Sequence, residues 1–370
     1  MDWLNIHTVP RLAKDYDDFR RIYDDLIMIT LCPEIKTRHL GQLGRICRFC
    51  RRPYPSARFK KEAHIIPQFL GNKYLVSDDE CDECNEMFGR FENDFKNYLG
   101  IIPTLTQTVG KSNTFPKYRS PKGEIIASKS TRLAIEGDFI EVFKENTTSN
   151  ALDFDFEKGE VKGMHTKYPY IPYNVYKALL KIGLSCLQIQ YFIDYRTAVE
   201  VLYSELLIPK PLTYVHVTTF PMDLMKFRAP HVYIFSKRKH SNKCLSHLVM
   251  LYYQNQIFQY FLPYNVHDRD IYTVQKAMFQ FGPPFFTSPV TDQLQFNTQL
   301  LDLSSNHRRI NEIQEFSFNV NYDKERPFFS FNPKTGDYVE YEHHYPKNIV
   351  GFVTVPKGTV LTKEDFKTKI

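Results

Sequence analysis

An α+β fold is predicted for this chain, with a small zinc-stapled module near the N-terminus followed by a larger α+β domain. Three observations predict it. Two Cys-x-x-Cys pairs, Cys47/Cys50 and Cys81/Cys84, stand about thirty residues apart. Apolar residues at helical spacing, Phe88, Phe91, Phe95 and Leu99, follow the second pair and are closed by Gly100. Further on, alternating segments separated by turn residues share the chain with long apolar runs, the pattern of strands beside buried helices.

The elements follow in order. Residues 11–30 place Leu12, Tyr16, Phe19, Ile22, Tyr23 and Leu26 on one helical face, so residues 1–40 are expected to form an N-terminal helical segment. Residues 41–115 form the zinc module. Within it, residues 46–67 read as short strands with turns at the first Cys-x-x-Cys pair and at Pro53-Tyr54-Pro55, and after the Leu70-Gly71-Asn72 loop a helix covers residues 82–99. Hairpin, loop, helix is the predicted order.

Residues 116–370 make the second, larger domain. Leu133/Ile135, Phe139/Val142 and Leu152/Phe154/Phe156 alternate on either side of Glu136-Gly137-Asp138 and Lys158-Gly159, which predicts a small β-meander over residues 124–162. Pro169 and Pro172 punctuate the chain, residues 174–191 read as a helix buried nearly all round, and residues 195–207 as a second helix. Residues 214–220, 231–235 and 248–262, the last broken at Asn255, predict a strand-rich sheet. There is no internal repeat and no low-complexity linker.

Of the 370 residues, 42% are hydrophobic and 15% aromatic, enough for real cores and for two domains. The 48 Lys+Arg against 42 Asp+Glu leave a formal charge of +6, a mild bias that permits a polyanionic partner. Position is more informative than total. Arg45, Arg48, Arg51, Arg52, Arg58, Lys60 and Lys61 crowd the first cysteine pair and the approach to His64, which reads as a phosphate-facing surface. Seven cysteines, four in the pairs, leave Cys32, Cys186 and Cys244 as single thiols in mostly apolar surroundings, the usage of a reducing compartment. The N-terminus has neither a basic region nor an apolar core, and no run is long enough to cross a bilayer, so a cytoplasmic protein without a membrane partner is expected.

Four thiols in two tight turns aim at one point and form a tetrahedral zinc site. Zinc ribbons and other binding modules share that device, so the cysteines alone establish only a staple. The residues between and after them are narrower: Lys61-Glu62-Ala63-His64-Ile65-Ile66-Pro67, then Leu70-Gly71-Asn72, then Cys81-Asp82-Glu83-Cys84-Asn85 with Phe88-Gly89. This arrangement resembles the HNH, or ββα-metal, endonuclease family in its branch with a structural zinc, over about a seventh of the chain. The resemblance implies a ββα-metal nuclease module, metal-dependent hydrolysis of DNA phosphodiesters, and Mg²⁺ or Mn²⁺ as the catalytic ion.

It also assigns residues. His64 takes the position of the general base, a role that a neutral imidazole suits because it accepts a proton near neutral pH. Asn85 matches the family's central asparagine, at the metal or in holding the loop of the base; an amide at a helix start is equally an ordinary cap. The residue before the base, an acid or histidine in most HNH enzymes, is here Ala63. Glu62, one step earlier, shares a strand face with His64 and is expected to bind the ion or orient the imidazole. For the last ligand, at roughly 100° per residue Glu92 returns to within about 20° of Asn85, while Asn93 lies about 80° and Asp94 about 180° away. Glu92 is favoured, with Asn93 the alternative if the helix starts after Asn85. Arg48, Arg51, Arg52, Lys60 and Lys61 are the expected phosphate contacts.

Residues 116–370 match no pattern of their own, and His216, His240, His247, His343 and His344 show no ligand spacing. Because a free nuclease of this kind would be toxic to its cell, the larger domain is expected to restrain it or sense an activating protein or ligand, as in the bacterial restriction and antiphage defence proteins that this layout resembles. The rival expectation is a non-catalytic zinc-stapled module that binds nucleic acid or protein, with Ala63 marking lost activity.

Overall fold

The computed structural model describes residues 6–31, 37–41, 45–110, 114–131, 133, 136–145, 149–222, 225–239, 243–273, 278–319, 328–331, 338–341, 349, 351–355, 359, 362 and 365. The N-terminal stretch 1–5, Cys32, Ile135, His240, His343 and His344 lie outside the described residues. It is a mixed helix and sheet protein. Helix α1 (Ala13–Ile22) runs directly into β1 (Tyr23–Thr30), and β2 (Arg38–Leu40), β3 (Ala63–His64) and β4 (Leu75–Ser77) precede α2 (Asp82–Leu99) and the short α3 (Ile102–Leu105). Five strands follow: β5 (Tyr118–Arg119), β6 (Ile125–Lys129), β7 (Ile140–Lys144), β8 (Leu152–Asp155) and β9 (Glu160–Thr166). Next come α4 (Pro172–Cys186), α5 (Ile189–Phe192), α6 (Arg196–Tyr203), β10 (Tyr214–Thr219), β11 (Phe227–Lys237), β12 (His247–Gln254), β13 (Gln256–Phe261), α7 (Arg269–Thr273) and β14 (Asn297–Asp302). The last strands are β15 (Ile313–Asn319), β16 (Phe328–Phe331), β17 (Tyr338–Tyr341) and β18 (Gly351–Thr354).

The chain folds back on itself, so its compact units are not consecutive segments. One unit comprises Met1–Lys96, Gly110–Ser112 and Tyr170–Arg309; the other comprises Asn97–Val109, Asn113–Pro169 and Ile310–Ile370. Of the zinc module expected at 41–115, residues 41–96 and 110–112 therefore share a unit with 170–309, while 97–109 and 113–115 fall in the other unit with 116–169.

In the first unit a six-stranded sheet runs in the order β1-β11-β12-β13-β10-β14, every neighbour antiparallel. Strand β12 is buried along its whole length, as a central strand covered on both faces must be. The break expected at Asn255 is the β12–β13 hairpin turn. Helix α4 lies on this sheet at Gly183, where a Cβ would come within 2.8 Å of Leu262 Cδ2 and 3.1 Å of Val249 Cγ2. Its N-terminus is held by α2: Asp94 accepts from the Ile171 amide at 3.2 Å and from Asn174 Nδ2 at 2.7 Å. Phe95 of α2 packs edge-on against Phe258 of β13. These contacts fasten the C-terminal half of α2 to α4 and to the sheet.

The N-terminal helical expectation is corrected here. The helix ends at Ile22, and residues 23–30 pair with β11 from Tyr23↔Lys237 to Thr30↔His231. Ile27, Ile29 and Thr30 are β-branched and fit a pleated ladder, and Tyr23 turns inward to donate its hydroxyl to the Leu245 carbonyl at 3.0 Å.

In the second unit the expected meander is divided between two sheets. Strands β5, β6 and β7 form one with β18, in the order β18-β7-β6-β5, and the β8–β9 hairpin forms another with β15. The distant strands β18 and β15 occupy the outer edges of β7 and β9, pairings that local alternation does not encode. The β16–β17 pair stands as a two-stranded hairpin.

Candidate metal centre and active site

The first cysteine turn is closed by backbone bonds from Cys47 N to Arg52 O at 3.0 Å and from Arg51 N to Cys47 O at 2.9 Å, with Arg51 in the left-handed region at φ 61°. The second begins α2, where Asn85 N donates to Cys81 O at 3.0 Å. Their four sulfurs lie within 4.8 Å of one another, with Cys47–Cys84 at 3.6 Å and Cys50–Cys81 at 3.7 Å. Tetrahedral zinc with Zn–S bonds of about 2.3 Å requires sulfurs about 3.8 Å apart, so the donor set fits that ion. Hydrogen bonding from Cys84 holds Cys47 down to about 5, while burial pushes Cys81 up to about 12. Four sulfurs this close become thiolates together only when a cation shares them. Tyr203 Oη at 3.0 Å from Cys84 and Arg52 Nε at 3.4 Å from Cys50 orient the outer faces of the cluster.

His64 ends β3, opposite Val76 of β4. Three loop features set its ring. Asn72, fully buried, donates from Nδ2 to Ile66 O and Leu75 O at 2.7 and 2.9 Å and accepts from the Tyr74 and Leu75 amides, which ties the loop to the strand it returns to. A single 3₁₀ turn, Gln68–Leu70, closes with Gly71 at φ 88° and sets the Gln68 amide 2.6 Å from His64 Nε2. Phe69 packs edge-on against Phe95 of α2. On the open side Glu62 Oε2 lies 3.7 Å from the same ring nitrogen, as the period-two reading requires. Ala63, between them, is buried.

Behind His64 is a charge cluster that sequence reasoning missed. Lys181 of α4, only 1% exposed, donates to the His64 carbonyl at 2.8 Å and pairs with Glu80 at 3.2 Å and Glu92 at 3.8 Å. Burial pushes Glu80 up to about 7 against the pull of Lys181, and burial raises Glu92 as well. Glu92 is thus on the His64 side of α2, Asn93 is exposed, and Asp94 faces α4. Two lysines, Lys177 and Lys181, in an otherwise mostly apolar run were the available signal, since a buried lysine requires partners.

Residues 47–97 match the HNH endonuclease family. No curated protein matches the chain, and no solved structure does. The HNH segment thus contains all four cysteines, Glu62, His64, Gln68, Asn72, Asn85 and Glu92, whereas Lys181 is outside it. An HNH nuclease segment implies a nucleic-acid substrate.

The basic residues of the HNH segment do not share one surface. Arg51, Arg52, Lys60 and Lys61 are exposed. The Lys60 and Lys61 amides donate to Asp82 Oδ1 at 3.0 and 2.9 Å, bonds that lay this stretch along the start of α2. Arg48 departs from the expected phosphate-facing position: it is buried, with Nε 2.7 Å from Asp79 and Nη1 donating to the carbonyls of Ser185, Leu187 and Leu184 at 2.9 to 3.3 Å. At the C-terminus of α4 the carbonyls lose their i→i+4 donors, Leu184 O accepting only a long bond from the Leu187 amide at 3.3 Å, and a guanidinium serves several at once. Among the described residues, no other group of three His, Cys, Asp or Glu side chains brings its donor atoms as close as the cysteines do, and no helix is long and apolar enough to cross a membrane.

Proposed function

We propose that this protein is a metal-dependent HNH endonuclease that hydrolyses DNA phosphodiester bonds, with β3, β4 and α2 as its ββα-metal core and His64 as general base. The observation that carries this reading is the pairing of His64 with Glu62 at 3.7 Å, at a strand end inside the matched segment and beside a four-cysteine staple. Gln68 and the Asn72 loop hold the imidazole so that it takes a proton from the attacking water without first reorienting.

Glu62 offers one oxygen donor for Mg²⁺ or Mn²⁺ and Glu92 a second, with Asn93 the alternative to Glu92. Such a pair fits a hard ion that keeps several waters and relies on substrate phosphate for the rest of its shell. An ion held by these residues would supply Lewis-acid polarisation of the scissile phosphate and charge neutralisation at the leaving oxygen. Asn85, at the start of α2, orients the loop of the base. Arg51, Arg52, Lys60 and Lys61 neutralise backbone phosphates, and the zinc held by Cys47, Cys50, Cys81 and Cys84 is structural. The remainder of the chain restrains the nuclease until a protein or ligand signal arrives, in a cytoplasmic antiphage or restriction role.

The test is nicking of supercoiled plasmid by the purified full chain with Mg²⁺ or Mn²⁺. Conversion to nicked or linear DNA that is lost on chelation supports the reading. Binding of DNA without cutting under either ion, with candidate activators present, leaves the non-catalytic binding module standing instead.

A further inference from the structure

We infer that Lys181 is a positioning residue for His64, delivered from helix α4 outside the HNH segment. The inference rests on the nuclease reading above, and its geometry is independent of it. Strand β3 is two residues long and sits at the edge of its sheet, in the order β2-β4-β3. A buried carbonyl on the outer side of an edge strand needs a donor from beyond the sheet. Lys181 Nζ is that donor, 2.8 Å from His64 O. Glu80 at 3.2 Å and Glu92 at 3.8 Å complete its surroundings, so one ammonium, with three protons, ties together the base strand, the residue preceding Cys81, and the middle of α2.

The other end of this strut is fixed as firmly. Arg48 binds carbonyls at the C-terminus of α4, and Asp94 accepts from the Ile171 amide just before the helix and from the Asn174 side chain in its first turn, so α4 cannot shift along its axis without breaking contacts at both termini. Lys181 lies one turn before the Arg48-bound carbonyls. The placement of the His64 backbone is thereby set by a helix that packs on the six-stranded sheet, and a displacement of α4 reaches the base through a single bond.

The test compares two variants. Lys181→Met/Glu80→Gln removes the two fully buried charges with near-isosteric neutral side chains and leaves Glu92, whose side chain is 24% exposed and reaches solvent, as the one acid of the cluster. It is expected to keep zinc and DNA affinity, with kcat lowered about 100-fold at unchanged KM, the scale of an ångström of misplacement in a reacting group. Glu80→Gln alone keeps the Lys181 bond to His64 and is expected to cut within a few-fold of wild type.

A second readout does not need cleavage: in the double variant the ring ¹⁵N signals of His64 shift and the Ile65 amide, bonded to Leu75 O in wild type, exchanges faster. Wild-type kcat and unmoved His64 signals in the double variant overturn the inference. So does an equal loss in Glu80→Gln alone, which assigns the effect to Glu80. If the wild-type protein never cuts, the nuclease reading fails, and the His64 signals and Ile65 exchange alone decide whether Lys181 positions the ring.

Discussion

Arg48 is the residue at which sequence and structure make opposite predictions, and Arg48→Met separates them. In the structure its guanidinium and the Asp79 carboxylate are each about 3% exposed and 2.7 Å apart, and the same group donates to the Leu184 and Ser185 carbonyls of α4 and to that of Leu187 just past it. Methionine fills most of the volume and removes every donor. Breaking one partner of a buried pair costs about 3–5 kcal/mol, because the remaining charge stays buried. Orphaned carbonyls push toward the upper end of that range, while Ser77 Oγ, which still donates to Asp79 at 3.1 Å, limits the cost. Against a domain stability of about 5–15 kcal/mol this is a large fraction.

Urea denaturation followed by circular dichroism should show that loss. Adding Asp79→Asn should recover part of it, with a coupling of about 0.5–3 kcal/mol for a contacting pair. DNA binding by whatever fraction is folded should keep the wild-type salt slope. A cost under about 1 kcal/mol, or a slope flattened as it would be by removing a surface arginine, would refute the buried-anchor account.

Charge reversal at Arg51 and Lys60 should instead leave stability within about 0.5 kcal/mol of wild type and flatten the salt dependence of DNA binding by about 0.9 for each phosphate no longer neutralised; an unchanged slope would move the interface elsewhere. Cys84→Ser should release zinc and unfold the segment it staples, measured by metal analysis and thermal melting, because metal binding supplies folding energy that so small a module lacks. His64→Ala should lower cleavage by about two to four orders of magnitude with zinc content and DNA affinity retained, and a parallel loss of affinity would contradict a base acting in the transition state. Glu62→Gln should raise the Mg²⁺ concentration needed for half-maximal cutting if Glu62 binds the ion and leave it unchanged if Glu62 only orients the imidazole, a difference read from a metal titration.

What could be read from sequence was what short-range periodicity encodes. The two Cys-x-x-Cys turns, the Phe88/Phe91/Phe95 face of α2, the buried α4 and the hairpin at Asn255 each depend on neighbours a few residues away. The same is true of Glu62 and His64 meeting on one face, two residues apart along a strand. Gln68 was within reach of that logic, since Pro67 and Gly71 bracket a single turn four residues beyond His64.

The sequence by itself determined the four-cysteine cluster and the resemblance of its segment to HNH endonucleases, because in both the chemistry and the spacing are local. Tertiary structure alone decided that residues 23–30 are a strand, since the partner that outweighs their helical period lies some two hundred residues away in β11. It also decided that Arg48 turns inward and that Lys181 reaches His64: both are charges whose partners, Asp79 with the α4 carbonyls and Glu80 with the His64 carbonyl, are assembled only when α4 packs against the HNH segment. A charged side chain reads as solvent-facing until the fold supplies its counter-charge, and no local pattern records where that counter-charge will be.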